Sequence, residues 1–257
     1  MKYLYGLMVW LVLIWGYGEC SAQPAQPLDS LKARADSLFD HQQEEAALNS
    51  YNRILESDST YYPAWWKSSL MYARIGHQLE DEEKTKQYYQ KSLSYAKRAL
   101  KLHPEAASAH FVMGVAMGRK ALIAGPKERV AASRAIKKHA VEALQADTLH
   151  GGAHHLLGRW HLEVTNLNFA ERMAAKWLFG GLPEGASMEQ SLAHLKRATE
   201  LGPDFILYWY DLGRAYHRME RTKDAIESLD NVLQLEAHTP SDSAYQAKAE
   251  QLYYSIK

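Results

Sequence analysis

The chain has 257 residues, 47% of them hydrophobic and 23% charged, an ordinary globular composition with enough material for one large domain or one repeat array. Lys plus Arg number 30 and Asp plus Glu number 30, so the formal net charge is +0 and no basic excess points to nucleic acid. The one cysteine, Cys20, lies in the N-terminal segment, which leaves the rest without thiols for disulfides, thiolate catalysis or cysteine metal sites.

The chain opens with Lys2, a mostly apolar run from Leu4 to Trp15, and the small residues of Cys20-Ser21-Ala22. That order is expected of a signal peptide over 1–22 cut after Ala22, and the apolar run is short for a membrane span. Two alternatives stay open: acylation at Cys20, for which Glu19 is a poor neighbour, and retention as an uncleaved anchor. The expected location is therefore outside the cytoplasm, periplasmic or secreted. A linker follows at 23–27, where Pro and Gln interrupt any apolar period.

From Leu28 to the end of the sequence, apolar and small residues recur at three- and four-residue steps, and Gly and Pro fall between those patterns. The expectation is an all-α domain over 28–257. Leu31, Ala35 and Leu38 pair with Ala47, Tyr51 and Ile54 in a first helical hairpin, and Trp65, Ser69, Tyr72 and Gly76 pair with Ser92, Ala96 and Ala99 in a second. Met113, Gly114 and Met117 then pair with Ile136, Ala140 and Ala143, and Leu157, Gly158 and His161 with Leu195 and Ala198. The fifth unit sets Trp209, Leu212, Gly213 and Tyr216 against Ala225, Leu229 and Val232, and a closing helix over 241–256 covers it. Three of the units are read with inserts between their helices. Ser187 to Gln190 has the spacing of a capping box, and Asp81, Glu82 and Glu83 put negative charge at a helix start.

This frame resembles the tetratricopeptide repeat: five helical hairpins and a capping helix wound into a right-handed superhelix. A narrower resemblance rests on Leu156 to Trp160, Glu163-Val164, Glu171-Arg172, Leu178 to Gly180 and Pro183, with Gly125 to Val130 and Ile136 to His139 upstream. Over roughly 30 to 255 these residues are similar to the helical domain of the regulator of microtubule dynamics family. That resemblance implies a repeat domain without catalytic activity; animal members are associated with microtubules or organelle membranes. An exported chain never meets tubulin, so only the fold is carried over.

In such repeats the first helix of each hairpin lines the concave face. Registering those helices points Trp66, Leu70 and Arg74 into the groove, then Phe111, Val115 and Arg119, then His155, Arg159 and Glu163, then Tyr210, Arg214 and Arg218. Aromatic surface with several arginines suits an acidic peptide segment or an anionic amphiphile. The competing reading is arginines paired with neighbouring acids, Arg159 with Glu163 among them.

His150, His154, His155 and His161 cluster in sequence, yet they occupy packing positions, so neither metal nor cofactor is expected. Trp160 is expected to pack on the insert carrying Phe169 and Trp177, and Trp177 to Phe179 to be buried between hairpins. No phosphate loop, nucleophile elbow or paired zinc motif is present. The sequence reading is a non-enzymatic scaffold for a protein or peptide partner, with a lipid or other amphiphile as the alternative ligand and no nucleic acid.

Overall fold

The computed structural model describes residues 27–257. The expected signal peptide, and residues 23–26 of the expected linker, lie outside them. Among the described residues there are twelve helices and no strand: α1 (Leu28–Asp40), α2 (Glu44–Ser57), α3 (Tyr62–Gln78), α4 (Glu82–Leu102), α5 (Ala107–Leu122), α6 (Pro126–Ala146), α7 (Gly151–Asn166), α8 (Phe169–Phe179), α9 (Met188–Leu201), α10 (Ile206–Arg218), α11 (Thr222–Gln234) and α12 (Pro240–Ile256). The hairpins are α1–α2, α3–α4, α5–α6, α7–α9 and α10–α11. All five match the pairs of helices read from the sequence.

The inserts differ from expectation in two units. The extra residues of the second and third units lengthen α4 and α6, each 21 residues, while the turns before them stay short. Asp81 caps α4 by accepting from Lys84 N, and Pro126 occupies the first turn of α6, where its missing N–H costs nothing. Only the fourth unit carries a separate element, α8, which packs on α6 rather than on its own hairpin. Asn168 and Glu171 form a reciprocal capping box at its start, and Gly180, at φ +75°, ends it in the left-handed region. Ser187 does cap α9, accepting from Gln190 N at 3.1 Å.

Close approach within each hairpin is set by small residues at one register. A Cβ on Gly158 would stand 2.8 Å from Leu195 Cγ and 3.0 Å from its backbone nitrogen, and one on Gly213 would stand 3.0 Å from Leu229. In the second hairpin Ser69 takes this place, donating to the Ser92 carbonyl at 2.8 Å. Larger residues fill the spaces between hairpins in successive clusters: Leu31, Tyr51 and Ile54; then Leu70, Met71, Ile75 and Val112; then Leu157 and Trp160; then Leu195, Leu212 and Tyr216; then Ile206, Leu229, Val232 and Tyr245. Each cluster draws on neighbouring hairpins, so none is complete without the next.

The closing helix goes further than a cap. Thr239 and Asp242 make a capping box at its start, and Gln246 donates to the carbonyls of Val232 and Leu235, fixing α12 on α11. From there α12 packs on α10 and also meets α3, three hairpins back along the chain. Tyr245 faces Tyr210 with ring centroids 5.4 Å apart. The superhelix thus curls tightly enough for its last helix to lie across its inner face.

The glycine contacts separate two substitutions. Gly158→Ala drives a methyl into Leu195 and is expected to cost about 1–3 kcal/mol. Gly118→Ala, whose Cβ would meet only Ile136 Cδ1 at an ordinary 3.7 Å, should be neutral or stabilise α5 by up to about 1 kcal/mol. Urea unfolding of both variants checks the contrast.

Candidate functional site

The four first helices α3, α5, α7 and α10 present equivalent positions inward, but those positions do not all remain available. Leu70 is buried in the core at 6% exposure, and Trp66, Phe111 and Val115 pack half-buried against the same cluster. Trp66 meets Phe39 edge-on and Phe111 lies against His150. These four contribute to packing between hairpins. Tyr210 is covered on one side by Tyr245 of α12.

The polar half of the inner face is organised by Asp211, a residue the sequence reading passed over. Asp211 is only 1% exposed. Its Oδ1 accepts from Arg214 Nη1 at 2.8 Å, its Oδ2 pairs with His155 Nε2 at 2.9 Å, and Arg159 Nη1 stands 3.7 Å from Oδ2. Burial by itself would raise the pKa of this carboxyl, but Arg159, the His155 hydrogen bond and Arg214 together hold it well below the usual carboxylate range. Arg214 also donates to Glu163 Oε1 at 3.2 Å, and His155 stacks on Tyr208 at 4.7 Å. Three of the inward residues named from sequence, His155, Arg159 and Arg214, therefore converge on one buried acid. Arg159 and Glu163 are 4.0 Å apart, a weaker contact than either makes elsewhere.

The remaining arginines have different surroundings. Arg74 lies 3.7 Å from buried Glu44 of α2. Arg119 has no carboxylate within 4 Å among the described residues, and its buried Nε has no acceptor; burial lowers its pKa while the Tyr245 and Tyr89 phenols oppose that. Arg218 is exposed and only grazes the Thr165 carbonyl at 3.5 Å. Beside it, Leu162, Asn166, Tyr210, Arg214, His217, Lys248 and Leu252 line an open cavity of about 440 Å³ where α7, α10 and α12 diverge. Neither Arg218 nor Lys248 has an acidic partner within 4 Å among the described residues.

The clustered histidines of α7 separate into four tasks. His150 caps the helix by accepting from Ala153 N, His154 faces His194, His155 holds Asp211, and His161 accepts from Ser187 N. Burial lowers the pKa of His161 to about 4, with help from His194 and Lys137, and burial does the same to His77, helped by Arg119, Arg159 and Lys248.

The reading of the insert needs correction. Trp160 is buried, but against Ala140, Leu157 and Ile136, with its indole donating to Ser133 Oγ at 2.9 Å. Phe169, Trp177 and Leu178 are 74%, 79% and 70% exposed. The insert is held through its backbone instead: Arg134 donates to the carbonyls of Phe179 and Gly181, and Lys137 to that of Glu184. One face of α8 is therefore left apolar and open, the kind of surface that marks a contact site.

Stacked helical hairpins wound around a polar inner face define a protein of the tetratricopeptide-like fold class. The fold is shared with a thermophilic TPR protein of Thermus thermophilus, at a TM-score of 0.62 and 14% identity over 90% of this chain and 98% of that one. It is also shared with pilF of Pseudomonas aeruginosa, at a TM-score of 0.51 and 11% identity over 89% of this chain and 86% of that one. The family model described as Regulator of microtubule dynamics protein 1-3 matches residues 31–257, and the chain belongs to that family. Among relatives, Regulator of microtubule dynamics protein 1 of Bos taurus is 27% identical over 231 residues, 88% of this chain and 71% of that protein. Regulator of microtubule dynamics protein 3 of Rattus norvegicus is 28% identical over 191 residues, 73% of this chain but only 40% of its own length. The family resemblance read from the sequence is thereby confirmed.

Two outcomes follow for stability. Asp211→Ala strands Arg159 and Arg214 and should cost about 3 kcal/mol or more in urea unfolding, whereas Glu163→Gln, at an exposed partner, should cost under about 1 kcal/mol. His77 and His161 bind a proton near pH 4 when folded and near about 6.5 when unfolded. The unfolded state therefore takes up protons first as pH falls below about 6.5, and stability declines from there towards about 4. Urea midpoints at pH 7.5 and 5 should fall less in His77→Gln/His161→Gln than in the parent.

Proposed function

We propose that this chain is a non-enzymatic scaffold that captures an acidic protein segment at the C-terminal mouth of its inner face. The observation that carries this reading is the cavity of about 440 Å³, which holds Arg218 and Lys248 without acidic partners within 4 Å among the described residues, while Arg214 beside them is already neutralised by Asp211 and Glu163. Cations left unpaired on a concave, partly apolar wall attract carboxylates and orient them, and Tyr210 and Leu252 supply contact area at small entropic cost. The candidate binding set thus contracts from the whole groove to its mouth. Trp66, Leu70, Phe111 and Val115 drop out as packing residues, and His155 and Arg159 become supports for Arg214.

A carrier of an anionic amphiphile is the second reading. It is favoured by the apolar members of the same cavity, Leu162, Tyr210 and Leu252. Export by the N-terminal segment belongs to the proposal as well, and N-terminal sequencing of the mature protein tests it.

The test of the first reading is fluorescence polarisation with two labelled peptides of equal length, one rich in Glu and Leu and one rich in Lys and Leu. The acidic peptide alone should bind, and Arg218→Glu/Lys248→Glu should weaken it at least about tenfold with helical content unchanged. Equal binding to the double variant rejects the site. Lipid copurifying with the protein in native mass spectrometry would move the assignment to the second reading.

A further inference from the structure

A third cluster of polar side chains lies away from the inner face, between α5 and α6. His110 Nδ1 stands 3.0 Å from His139 Nδ1 and 3.0 Å from Glu142 Oε2, and His139 Nδ1 stands 3.3 Å from the same oxygen. The two imidazoles are each 12% exposed and the carboxylate 32%.

The repeat itself fixes the tautomer of His110. At this register Trp65 donates its indole N–H to the carbonyl six residues back, Ser59, at 3.0 Å, and Trp209 does the same to Pro203 at 2.7 Å. Indole can only donate. His110 and His154 hold the equivalent places with Nε2 set 2.6 Å from the Pro104 carbonyl and 3.0 Å from that of Thr148. A carbonyl only accepts, so Nε2 carries the proton and Nδ1 of neutral His110 presents a lone pair. That lone pair faces a carboxylate oxygen, itself an acceptor, and Glu142 Oε2 is buried without a hydrogen-bond donor. A proton on His139 Nδ1 can be given fully to only one of these two acceptors, His110 Nδ1 or Glu142 Oε2, whereas a cation at the centre would satisfy all three ligand atoms.

We propose that His110, His139 and Glu142 form a binding site for one divalent transition-metal ion of the zinc class. Two imidazoles and one carboxylate are a zinc ligand set, whereas calcium and magnesium ask for oxygens. With bonds of about 2.0–2.1 Å, tetrahedral ligands stand roughly 3.3 Å apart and octahedral ones roughly 2.9 Å, the range these three atoms span. The Pro104 carbonyl orients His110 as outer partners of metal-bound histidines do. Lys138 Nζ, 3.8 Å from Glu142 Oε1, steadies the other carboxylate oxygen. The partial exposure of Glu142 leaves a path for the ion and room for a water as the fourth ligand.

The next hairpin supplies an internal control. His154 and His194 repeat the facing pair, with Nδ1 atoms 2.9 Å apart, but Arg197 replaces the glutamate one turn on and is paired with Glu200 at 2.8 Å. A guanidinium at that place opposes a cation, so the fourth hairpin lacks the site that the third has.

The experiment uses the untagged full-length chain, stripped with a chelator and titrated with Zn²⁺ by calorimetry, with Co²⁺ absorption reporting the ligand set. Wild type should bind one equivalent at this site. Glu142→Gln should weaken it at least about tenfold, a loss seen even for outer partners of metal ligands. It should also lose the visible Co²⁺ bands, whereas His194→Gln should match wild type in both. Should Glu142→Gln unfold, His139→Gln takes its place. Zinc uptake that is absent from wild type, or equal in wild type and the Glu142 or His139 variant, would overturn the site and leave the cluster held by a shared proton.

Discussion

Everything in this molecule depends on how closely the two helices of each hairpin approach. Gly158 and Gly213 let a leucine of the partner helix come to 2.8–3.0 Å from where a Cβ would be, and Ser69 replaces that gap with a hydrogen bond to a backbone carbonyl. Helices that close present the remaining apolar residues on the outside of the pair, where only another hairpin can cover them. Stacking follows from this, and the curl of the stack brings α12 back to α3.

The curl has an electrostatic consequence. Side chains that would line an open groove in a looser superhelix are pressed together here, and a buried carboxylate, Asp211, becomes the counter-charge for two arginines and the hydrogen-bond partner of His155. Buried charge of this kind adds little net stability over an apolar core, yet removing one member is costly. It ties α7 to α10 beside the mouth where, among the described residues, Arg218 and Lys248 have no acidic partner within 4 Å. The distinction between supporting and binding cations rests on this: Arg159 and Arg214 stand at one repeat register beside Asp211, whereas Arg218, one turn further along α10, and Lys248 of α12 have no acid within 4 Å among the described residues.

The same logic of repeated register explains the histidines. The position that Trp65 and Trp209 fill with an indole is filled in the two middle hairpins by His110 and His154, each keeping the bond to the carbonyl six residues back. That exchange frees a ring nitrogen on the inner side of the pair. Whether the freed nitrogen meets Glu142 or Arg197 then decides what the hairpin can hold.

The sequence by itself determined the five hairpins, the small residues at their crossings and the family, because helix periodicity, glycine placement and breakers are local properties that repeat along the chain. It also contained the His139-x-x-Glu142 spacing, a usable metal signal on one helix face, though the attention drawn by the histidines around His154 lay one hairpin away. Only the tertiary structure decided which inward residues are free. That Asp211 gathers His155, Arg159 and Arg214, and that α12 reaches back to α3 across the inner face, depend on the curvature of the stack. Curvature is the sum of small rotations between hairpins, and no single helix carries it.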